Sequence, residues 1–545
     1  MKKMLALMLA ALLLAGMLSG CGKSAPAAEP AAAENPAPEE AADAKELAVA
    51  GPEAVYSPDA ADNARVFYEI FVGSFSDSDG DGIGDLHGII NRFDYLNDGD
   101  PSSGRSLGIG GIWLSPIFLS PSYHKYDVTD YYTIDPLFGT EEDLKELADL
   151  CEARNVKLIL DLPLNHSGAQ NQWFADFKAA HRAGDISSPW YDFYSWCGAE
   201  ENPPGVWQGI PGSGERYECN FSPDMPEFNF DNDDVRQEML NVAKYYLELG
   251  IDGFRFDAAK YVYFGDNARS ADFWLWYTGE LRAIKPEIYM VAEVWDNDAT
   301  TDLYYPALNC FNFTMAAAEG KIARAAHGKS GYGYSSYVQD YLERVTALRA
   351  DALLLPFVSN HDMDRAAGFV TVSSGAMRMA ANLYLLGPGS PFLYYGEELG
   401  VRGSRGASNT DANRRLAMPW GDGDTVRDPE GSSYGHEGEI PAAEQMLDAD
   451  SLYSYYKLLI RVRAANPEIV LGRYEALEIP DTKLVAFVSS WEGQSVCVIH
   501  NAGMRDERIA LPEGFASVSV CVGRGEAVIE NGELVIPAQT SVILR

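Results

Sequence analysis

Eight short apolar runs, separated by amphipathic helical stretches, constrain the fold of this chain more than any other feature. The runs are VFYEIFV (66–72), GIGGIWLSPI (108–117), VKLILDL (156–162), IDGFRFD (251–257), IYMVAEV (288–294), LNCFNFT (308–314), ALLLPFVSN (352–360) and PFLYYGE (391–397). Because they do not alternate apolar with polar residues, we expect strands covered on both faces, as in parallel sheets. Eight such strands joined by helices predict an α/β fold, a closed (β/α)8 TIM barrel. An open doubly wound sheet is the alternative.

Two segments do not fit a simple barrel and predict additional domains. The Gly-, Pro- and aromatic-rich stretch 166–229 follows the third run and is too long for an ordinary barrel loop. We interpret it as an inserted domain, called the B domain below. The last part of the chain, 467–545, has short β-like runs separated by turns, which predicts an antiparallel β-sandwich domain. The barrel is then predicted over 62–165 and 230–466.

The N-terminal region predicts export. Residues 1–20 combine a basic start with a long apolar run, and Cys21 follows the sequence Leu-Ser-Gly. This resembles a bacterial lipoprotein signal peptide with lipidation at Cys21. A plain secretory signal is the alternative. Residues 21–61 are rich in Ala, Pro and Glu and predict a disordered tether. We therefore expect the protein on the extracellular face of the cell envelope, touching membrane only through this lipid anchor.

The charge of the chain limits its partners. The formal net charge is −38 over 545 residues. Such acidity argues against nucleic acid and anionic membrane surfaces and favours a neutral ligand. We expect a monomer.

The chain has seven cysteines, and its fold is not expected to depend on disulfides. With Cys21 lipidated, six remain. The pairs expected from proximity in the sequence are Cys197–Cys219 and Cys497–Cys521. Cys151 and Cys310 are expected to be buried thiols, and no spacing indicates zinc.

The side chains suited to chemistry follow the predicted strands at their C-terminal ends. Arg255 and Asp257 end the fourth strand, Glu293 ends the fifth, and Asn-His-Asp at 360–362 ends the seventh. In a parallel barrel these positions face one pocket. Burying several carboxylates costs several kcal/mol unless each is paired, so a catalytic function explains them better than stability does. A structural ion pair of Arg255 with Asp257 is the alternative.

Four segments carry these residues in order: DLPLNH (161–166), GFRFDAAKY (253–261), VAEVWD (291–296) and FVSNHD (357–362). With GIGGIWLSPI, YHKYDVTDYYTIDPLFGT, MPEFN and GSPFLYYGEE, they resemble the motif regions of the α-amylase family of glycoside hydrolases in order and spacing. The resemblance spans about 66–465. The β-rich tail corresponds to the C-terminal domain of that family.

The resemblance implies roles for individual residues. Asp257 would be the nucleophile, Glu293 the general acid/base and Asp362 the transition-state stabiliser of a retaining glycosidase. The residues implied to bind substrate are Tyr126, His124, His166, Arg255, His361, Asp127 and Lys260. We expect the Asp257 anion to raise the pKa of Glu293, and Arg255 to keep Asp257 ionised. The implied substrates are starch, maltodextrins and related α-glucans.

The segment DSDGDGIGD (77–85) predicts a calcium site. It offers oxygen atoms at alternate positions and glycines that permit tight turns, which suits Ca²⁺. The predicted ligands are Asp77, Asp79, Asp81, Ile83 through its carbonyl, and Asp85. The segment resembles the start of an EF-hand loop, but the twelfth position holds Gly88 instead of Glu. Some members of the α-amylase family carry such a loop as a calcium site. An Asp/Gly turn without metal is the alternative.

The substrate specificity has several candidates. Ala258, Lys260 and Trp295 resemble family members that act on α-1,4 bonds, which predicts an α-amylase cleaving starch and maltooligosaccharides internally. An oligo-1,6-glucosidase, which shares the Asp77 loop, and a neopullulanase or cyclomaltodextrinase are the enzymatic alternatives. A glucan-binding surface lipoprotein is the alternative without catalysis. All three carboxylates are present, which favours an enzyme.

Overall fold

A computed structural model of the protein describes residues 62–371, 375–480 and 482–545. The predicted signal peptide, lipidation site Cys21 and tether lie outside these ranges, so their roles stay predictions. Within the described ranges, no helix has the length and apolar character needed to span a membrane.

The described chain alternates strands and helices for most of its length. The strands are β1 (Phe67–Ile70), β2 (Gly111–Leu114), β3 (Phe118–Leu119), β4 (Asp130–Ile134), β5 (Lys157–Leu162), β6 (Trp196–Cys197), β7 (Trp207–Gly209), β8 (Arg216–Glu218), β9 (Gly253–Phe256), β10 (Tyr289–Ala292), β11 (Asn309–Cys310), β12 (Phe392–Tyr394), β13 (Arg473–Ala476), β14 (Val485–Trp491), β15 (Gln494–Asn501), β16 (Glu507–Ala510), β17 (Val518–Gly523), β18 (Val528–Glu530), β19 (Glu533–Ile536) and β20 (Thr540–Leu544). The α-helices are α1 (Leu86–Asn91), α2 (Phe93–Leu96), α3 (Glu141–Ala153), α4 (Gln172–Ala183), α5 (Asp233–Glu248), α6 (Asn267–Ile284), α7 (Asp298–Thr301), α8 (Lys321–Ala326), α9 (Tyr332–Leu348), α10 (Ala366–Phe369), α11 (Ala376–Leu385), α12 (Ala442–Gln445), α13 (Leu452–Ala465) and α14 (Pro467–Leu471).

Seven parallel strands form the barrel sheet in the order β11-β10-β9-β5-β2-β1-β12. The seventh apolar run closes the gap between β11 and β12 without forming a regular strand. Leu355 makes a single parallel bridge to Phe311, and the Phe392 N–H donates to the Pro356 carbonyl at 3.0 Å. Pro356 lacks an N–H, which interrupts the ladder here. The predicted (β/α)8 barrel is confirmed.

Large side chains fill the barrel interior. Phe67 stacks on Phe392 and lies against Tyr289, with both pairs of ring centroids 4.6 Å apart. Trp113 and Phe311 stack in the same cluster at 5.3 Å. This packed layer closes the centre of the barrel, so polar side chains cluster at the carboxyl ends of the strands.

The B domain inserts between β5 and α5 and contains α4 and a three-stranded sheet in the order β6-β8-β7. A bridge between His166 and Glu227 ties its two ends together. The insertion therefore lies beside the carboxyl end of β5.

The C-terminal strands form two antiparallel sheets, β13-β14-β15-β20-β17 and β16-β19-β18. An apolar cluster that includes Ile499, Leu534 and Val542 lies between them. The predicted C-terminal β-sandwich is confirmed. The residue boundaries assigned to the domains stay predictions.

The expected disulfides are wrong. All six cysteines in the described ranges are free thiols. In the register that pairs Cys197 with Arg216, Cys219 lies three residues further along its strand, about 10 Å away. Cys497 and Cys521 lie on β15 and β17, which β20 separates. Two strand spacings, about 9.6 Å, exceed the Cα separation that a disulfide spans.

Candidate active site

Arg255 is the centre of a buried charge cluster at the carboxyl ends of β5, β9 and β10. Side chains in a strand alternate between its faces, so Arg255 and Asp257 point to the same side. The fully buried Arg255 guanidinium donates from Nη1 to Asp257 Oδ1 at 2.8 Å. Nη1 also donates to both Asp161 oxygens at 2.8 and 2.9 Å. Nη2 donates to Glu293. One cation therefore holds three carboxylates in fixed positions.

The backbone brings Asp257 and Glu293 together. The parallel ladder continues one residue past the end of β10, where the Glu293 N–H donates to the carbonyl of Phe256, the last residue of β9, at 2.9 Å. Ala258, next to Asp257, adopts a left-handed conformation with φ of 48°. This conformation is strained for alanine. In this conformation the Ala258 N–H donates to Glu293 Oε2 at 3.3 Å, so the Glu293 carboxyl accepts bonds from both Arg255 and Ala258 of the β9 segment.

Asp362 lies opposite this cluster between two cations. His361 Nε2 is 3.1 Å from Asp362 Oδ2, and Arg415 Nη2 donates to Asp362 Oδ1 at 2.7 Å. Although burial acts in the opposite direction, these groups lower the pKa of Asp362 well below its usual range. His361 is held by Glu69, whose Oε1 lies 2.5 Å from Nδ1. Burial lowers the pKa of His361, but the effects of Asp362 and Glu69 are larger and raise this pKa to about 10. Asp362 is therefore an anion at neutral pH.

Tyr126 joins the two halves of the site. Its hydroxyl donates to Asp161 Oδ2 at 2.8 Å and lies 2.7 Å from His361 Nε2. Its ring stacks on His361 with the centroids 5.5 Å apart. Trp113 Nε1 donates to the same Asp161 oxygen at 3.2 Å. The floor of the pocket is thus a continuous hydrogen-bonded network from Arg255 to His361.

The pKa values of Asp257 and Glu293 differ in the direction needed for acid–base catalysis. Burial raises the pKa of Asp257 to about 6, while Arg255 acts against that rise. Burial raises the pKa of Glu293 to about 7, Arg255 lowers it and the Asp257 anion raises it. As expected from the sequence, Arg255 lowers the pKa of Asp257 and the Asp257 anion raises the pKa of Glu293. Desolvation, however, has a larger effect than either on both pKa values. Asp257 loses its proton before Glu293 does.

This difference predicts a bell-shaped pH dependence of kcat/KM. For the roles predicted from sequence, Asp257 must be ionised and Glu293 protonated. Activity should fall below about pH 6, where Asp257 takes up a proton, and above about pH 7, where Glu293 loses one. Initial rates measured on a glucan at low substrate concentration test this. A profile that stays flat up to about pH 9 would contradict the acid role of Glu293.

The other predicted sugar-binding residues lie at different depths. His166 is buried, and within the described ranges neither of its ring nitrogens makes a hydrogen bond. Burial lowers its pKa to about 4. His124 Nδ1 accepts the Tyr126 N–H at 3.2 Å, and burial, with Arg415, lowers its pKa to about 4. Both rings are neutral at pH 7, and His166 is free to bond a ligand hydroxyl.

Asp127 and Lys260 are engaged outside the Arg255 cluster. Asp127 accepts from the hydroxyls of Ser120, at 2.7 Å, and Ser122. Lys260 Nζ donates to the Trp295 carbonyl at 2.8 Å and to Asp296 at 3.1 Å. Lys260 thereby ties the segment after β9 to the segment after β10.

Sequence reasoning missed Glu69 and Arg415, and it placed Asp161 at the pocket end of a strand without giving it a role. Arg415 also donates from Nη1 to the Tyr123 hydroxyl at 3.1 Å and from Nε to the His361 carbonyl at 3.1 Å. A charged residue inside an apolar strand, as at Glu69 and Asp161, is a signal available from sequence. No local pattern marks Arg415, which reaches the site from the long loop after β12.

The Asp77 loop brings together part of the predicted calcium site. Carboxylate oxygens of Asp77, Asp79 and Asp85 lie within 4.8 Å of one another. Asp81 is outside this group of three, and its carboxylate accepts the Ile83 N–H at 2.7 Å. The prediction of Asp81 and of the Ile83 carbonyl as ligands stays a prediction. Three hard oxygen donors fit Ca²⁺ in kind.

Known proteins agree with the fold. The family model "Alpha amylase, catalytic domain" matches residues 69–472. Alpha-amylase 3 of Dictyoglomus thermophilum is 35% identical over 488 residues, which cover 88% of this chain and 93% of that protein. A 4-alpha-glucanotransferase of Thermotoga maritima is 30% identical over 451 residues, 80% of this chain and 95% of that protein.

A solved structure has the same fold. Eubacterium rectale Amy13B superposes with a TM-score of 0.82 at 30% identity, covering 91% of this chain and 97% of that one. Because the family model matches well over half of the sequence, and because relatives of at least 30% identity align over most of their length, the chain belongs to the α-amylase family of glycoside hydrolases.

Proposed function

We propose that the protein is a retaining α-amylase that hydrolyses α-1,4-glucosidic bonds of starch and maltooligosaccharides. The observation that carries this proposal is the Arg255 guanidinium bonded to both Asp257 and Glu293. This guanidinium holds the ionised carboxylate of Asp257 beside the protonated carboxyl group of Glu293, which is the pair that a double displacement requires.

The two steps follow from this pair. Asp257 attacks the anomeric carbon and forms a glycosyl ester while Glu293 gives its proton to the departing glycosidic oxygen. Glu293, now a carboxylate, then takes a proton from water as that water breaks the ester. The Asp362 anion, held by His361 and Arg415, accepts hydrogen bonds from sugar hydroxyls and favours the positive charge that develops on the ring.

The preference for α-1,4 bonds is supported by sequence positions near the nucleophile and by one hydrogen bond between them. Ala258, Lys260 and Trp295 match α-1,4-acting members in sequence, and the Lys260–Trp295 bond joins these positions in the structure. The name of the Dictyoglomus relative agrees with this choice. The glucanotransferase relative makes transfer of the glycosyl group to a second sugar a competing outcome.

Product analysis on four substrates tests the proposal. Amylose should be cut into maltooligosaccharides of mixed length, faster than pullulan or cyclodextrin, and isomaltose should not be cleaved. Cleavage of isomaltose without cleavage of amylose would replace the proposal with an oligo-1,6-glucosidase. A faster rate on cyclodextrin would indicate a cyclomaltodextrinase. Products longer than the substrate would indicate transfer.

We also propose that the Asp77 loop binds Ca²⁺ through Asp77, Asp79 and Asp85. Burial is the largest single effect on the pKa of Asp77 and raises it, but the Thr425 hydroxyl and the N–H groups of Gly80 and Gly82 together lower this pKa below its usual value. Neighbouring anions repel one another unless a cation neutralises them. The loop lies outside the Arg255 cluster, so the ion would contribute stability and no catalytic step.

Chelation should lower the melting temperature of the protein. Binding only to the folded state stabilises it by about 2.7 kcal/mol at a calcium concentration one hundred times Kd. Asp79→Asn should remove the response to chelator, whereas Asp81→Asn, a matched change outside the gathered oxygens, should keep it. Differential scanning fluorimetry with and without EDTA measures both. A melting temperature that ignores EDTA in the wild type would show an ordinary turn.

A further inference from the structure

The residue before Tyr126 has a strained backbone. Lys125 has a φ of 65°, a left-handed conformation that costs energy for any residue with a Cβ and that lysine rarely adopts. It lies between His124 and Tyr126 in the loop that joins β3 to β4. Strain of this kind persists only where the surrounding contacts fix it. The contacts that fix Lys125 therefore also fix the backbone from which these two neighbours project.

The Lys125 side chain supplies those contacts. Its Nζ donates to Asp135 Oδ2 at 2.6 Å and to the Ser120 carbonyl at 3.2 Å. The ammonium group also lies 5.2 Å from the centre of the Phe138 ring. Lys125 and Asp135 are both buried. Separating a buried ion pair leaves uncompensated charges away from water, so the pair favours the one loop conformation in which the ammonium reaches the carboxylate.

Asp135 is itself a fixed anchor. It directly follows β4, and its N–H donates to the Ile117 carbonyl at 2.8 Å. Its Oδ1 accepts the Leu137 N–H at 3.0 Å. Ser120, the second acceptor of the ammonium group, directly follows β3. Lys125 thus ties the middle of the loop to the ends of both strands, so the loop is held at its centre as well as at its two ends.

We propose that Lys125 is a positioning residue, whose ion pair with Asp135 holds Tyr126 in place for catalysis. The proposal rests on the proposed function and adds a residue whose buried side chain bonds to protein groups. The Tyr126 hydroxyl donates to Asp161 at 2.8 Å and lies 2.7 Å from His361 Nε2. A displacement of about 1 Å would break both contacts. Lys125 acts on the reaction through this neighbour.

The double variant Lys125→Met/Asp135→Asn tests the inference. It removes both charges, so no unpaired charge stays buried and the fold should be retained. We expect kcat/KM on maltoheptaose to fall about tenfold, mainly through kcat, because misplaced groups weaken the transition state more than they weaken substrate binding. Lys145→Met is the matched control, since Lys145 is an exposed lysine of α3 that lies 3.6 Å from Glu141. This control should keep wild-type values, and wild-type kcat/KM in the double variant would overturn the inference.

A second comparison separates positioning from a general loss of structure. Tyr126→Phe removes the hydroxyl group through which Lys125 is proposed to act. In the Tyr126→Phe background, the double change should therefore lower kcat/KM by less than about twofold, because the two sites act as a unit. A further tenfold loss in that background would show that Lys125 does not act through Tyr126 and would overturn the inference.

A crystal structure of the double variant tests the inference without any measurement of activity. The Tyr126 hydroxyl should lie farther than about 3.5 Å from Asp161 Oδ2, beyond hydrogen-bond distance. If the wild type failed to hydrolyse glucans, the proposed function would be wrong, and this distance would still decide whether Lys125 positions Tyr126. A Tyr126 hydroxyl that still donates to Asp161 in the double variant would overturn the inference.

Discussion

Asp257→Asn is expected to lower kcat on amylose by at least about 10⁴-fold while the protein stays folded. The amide keeps the size of the carboxyl group but cannot form the glycosyl ester. Arg255 retains its bonds to Asp161 and Glu293, so it loses only one of its three carboxyl partners. Steady-state rates and thermal melting measured on the same sample separate loss of chemistry from loss of fold.

Asp252→Asn is the matched control. Asp252 directly precedes β9, the strand that ends next to Asp257, and bonds to Lys157 and Lys285 far from the carboxyl end. This variant should keep wild-type kcat. Substantial turnover by Asp257→Asn would remove Asp257 as the nucleophile.

Glu293→Gln should produce a loss that depends on the leaving group. On glucans kcat should fall by about 10²–10⁴-fold, since the departing sugar oxygen needs a proton. An activated aryl glycoside leaves without one, so part of its first-step rate should remain. The alkaline limb of the pH profile should also disappear, because the group with a pKa of about 7 is gone.

The control for this variant is Glu287→Gln, an exposed carboxylate just before β10. It should keep activity on both substrate types and the alkaline limb. Equal losses on glucans and aryl glycosides in Glu293→Gln would argue against the acid role and point to a structural one.

The barrel and the positions of Asp257, Glu293 and Asp362 were predictable because both depend on local sequence patterns. A buried parallel strand needs a continuous apolar run, and its carboxyl end lies on a known face of the barrel. The run that contains Pro356 fits the barrel but makes only one regular bridge, because proline removes a ladder donor.

The missed features depend on contacts between residues far apart in the sequence. Glu69 bonds to His361 across 292 residues, and Arg415 reaches Asp362 across 53. The failed Cys497–Cys521 pairing has the same cause, since only the strand order shows β20 between the two cysteines.

The anomeric configuration of the first product distinguishes a double displacement through Asp257 from a single displacement by water. Asp257 as nucleophile and Glu293 as acid/base give two inversions at the same carbon, so an α-linked substrate must release an α-anomer. Proton NMR of maltoheptaose hydrolysis, recorded before mutarotation equilibrates the sugar, resolves the two anomers. We expect the α-anomer to appear first and the β-anomer to grow in later. Initial release of the β-anomer would mean a single displacement by water and would rule out Asp257 as the nucleophile.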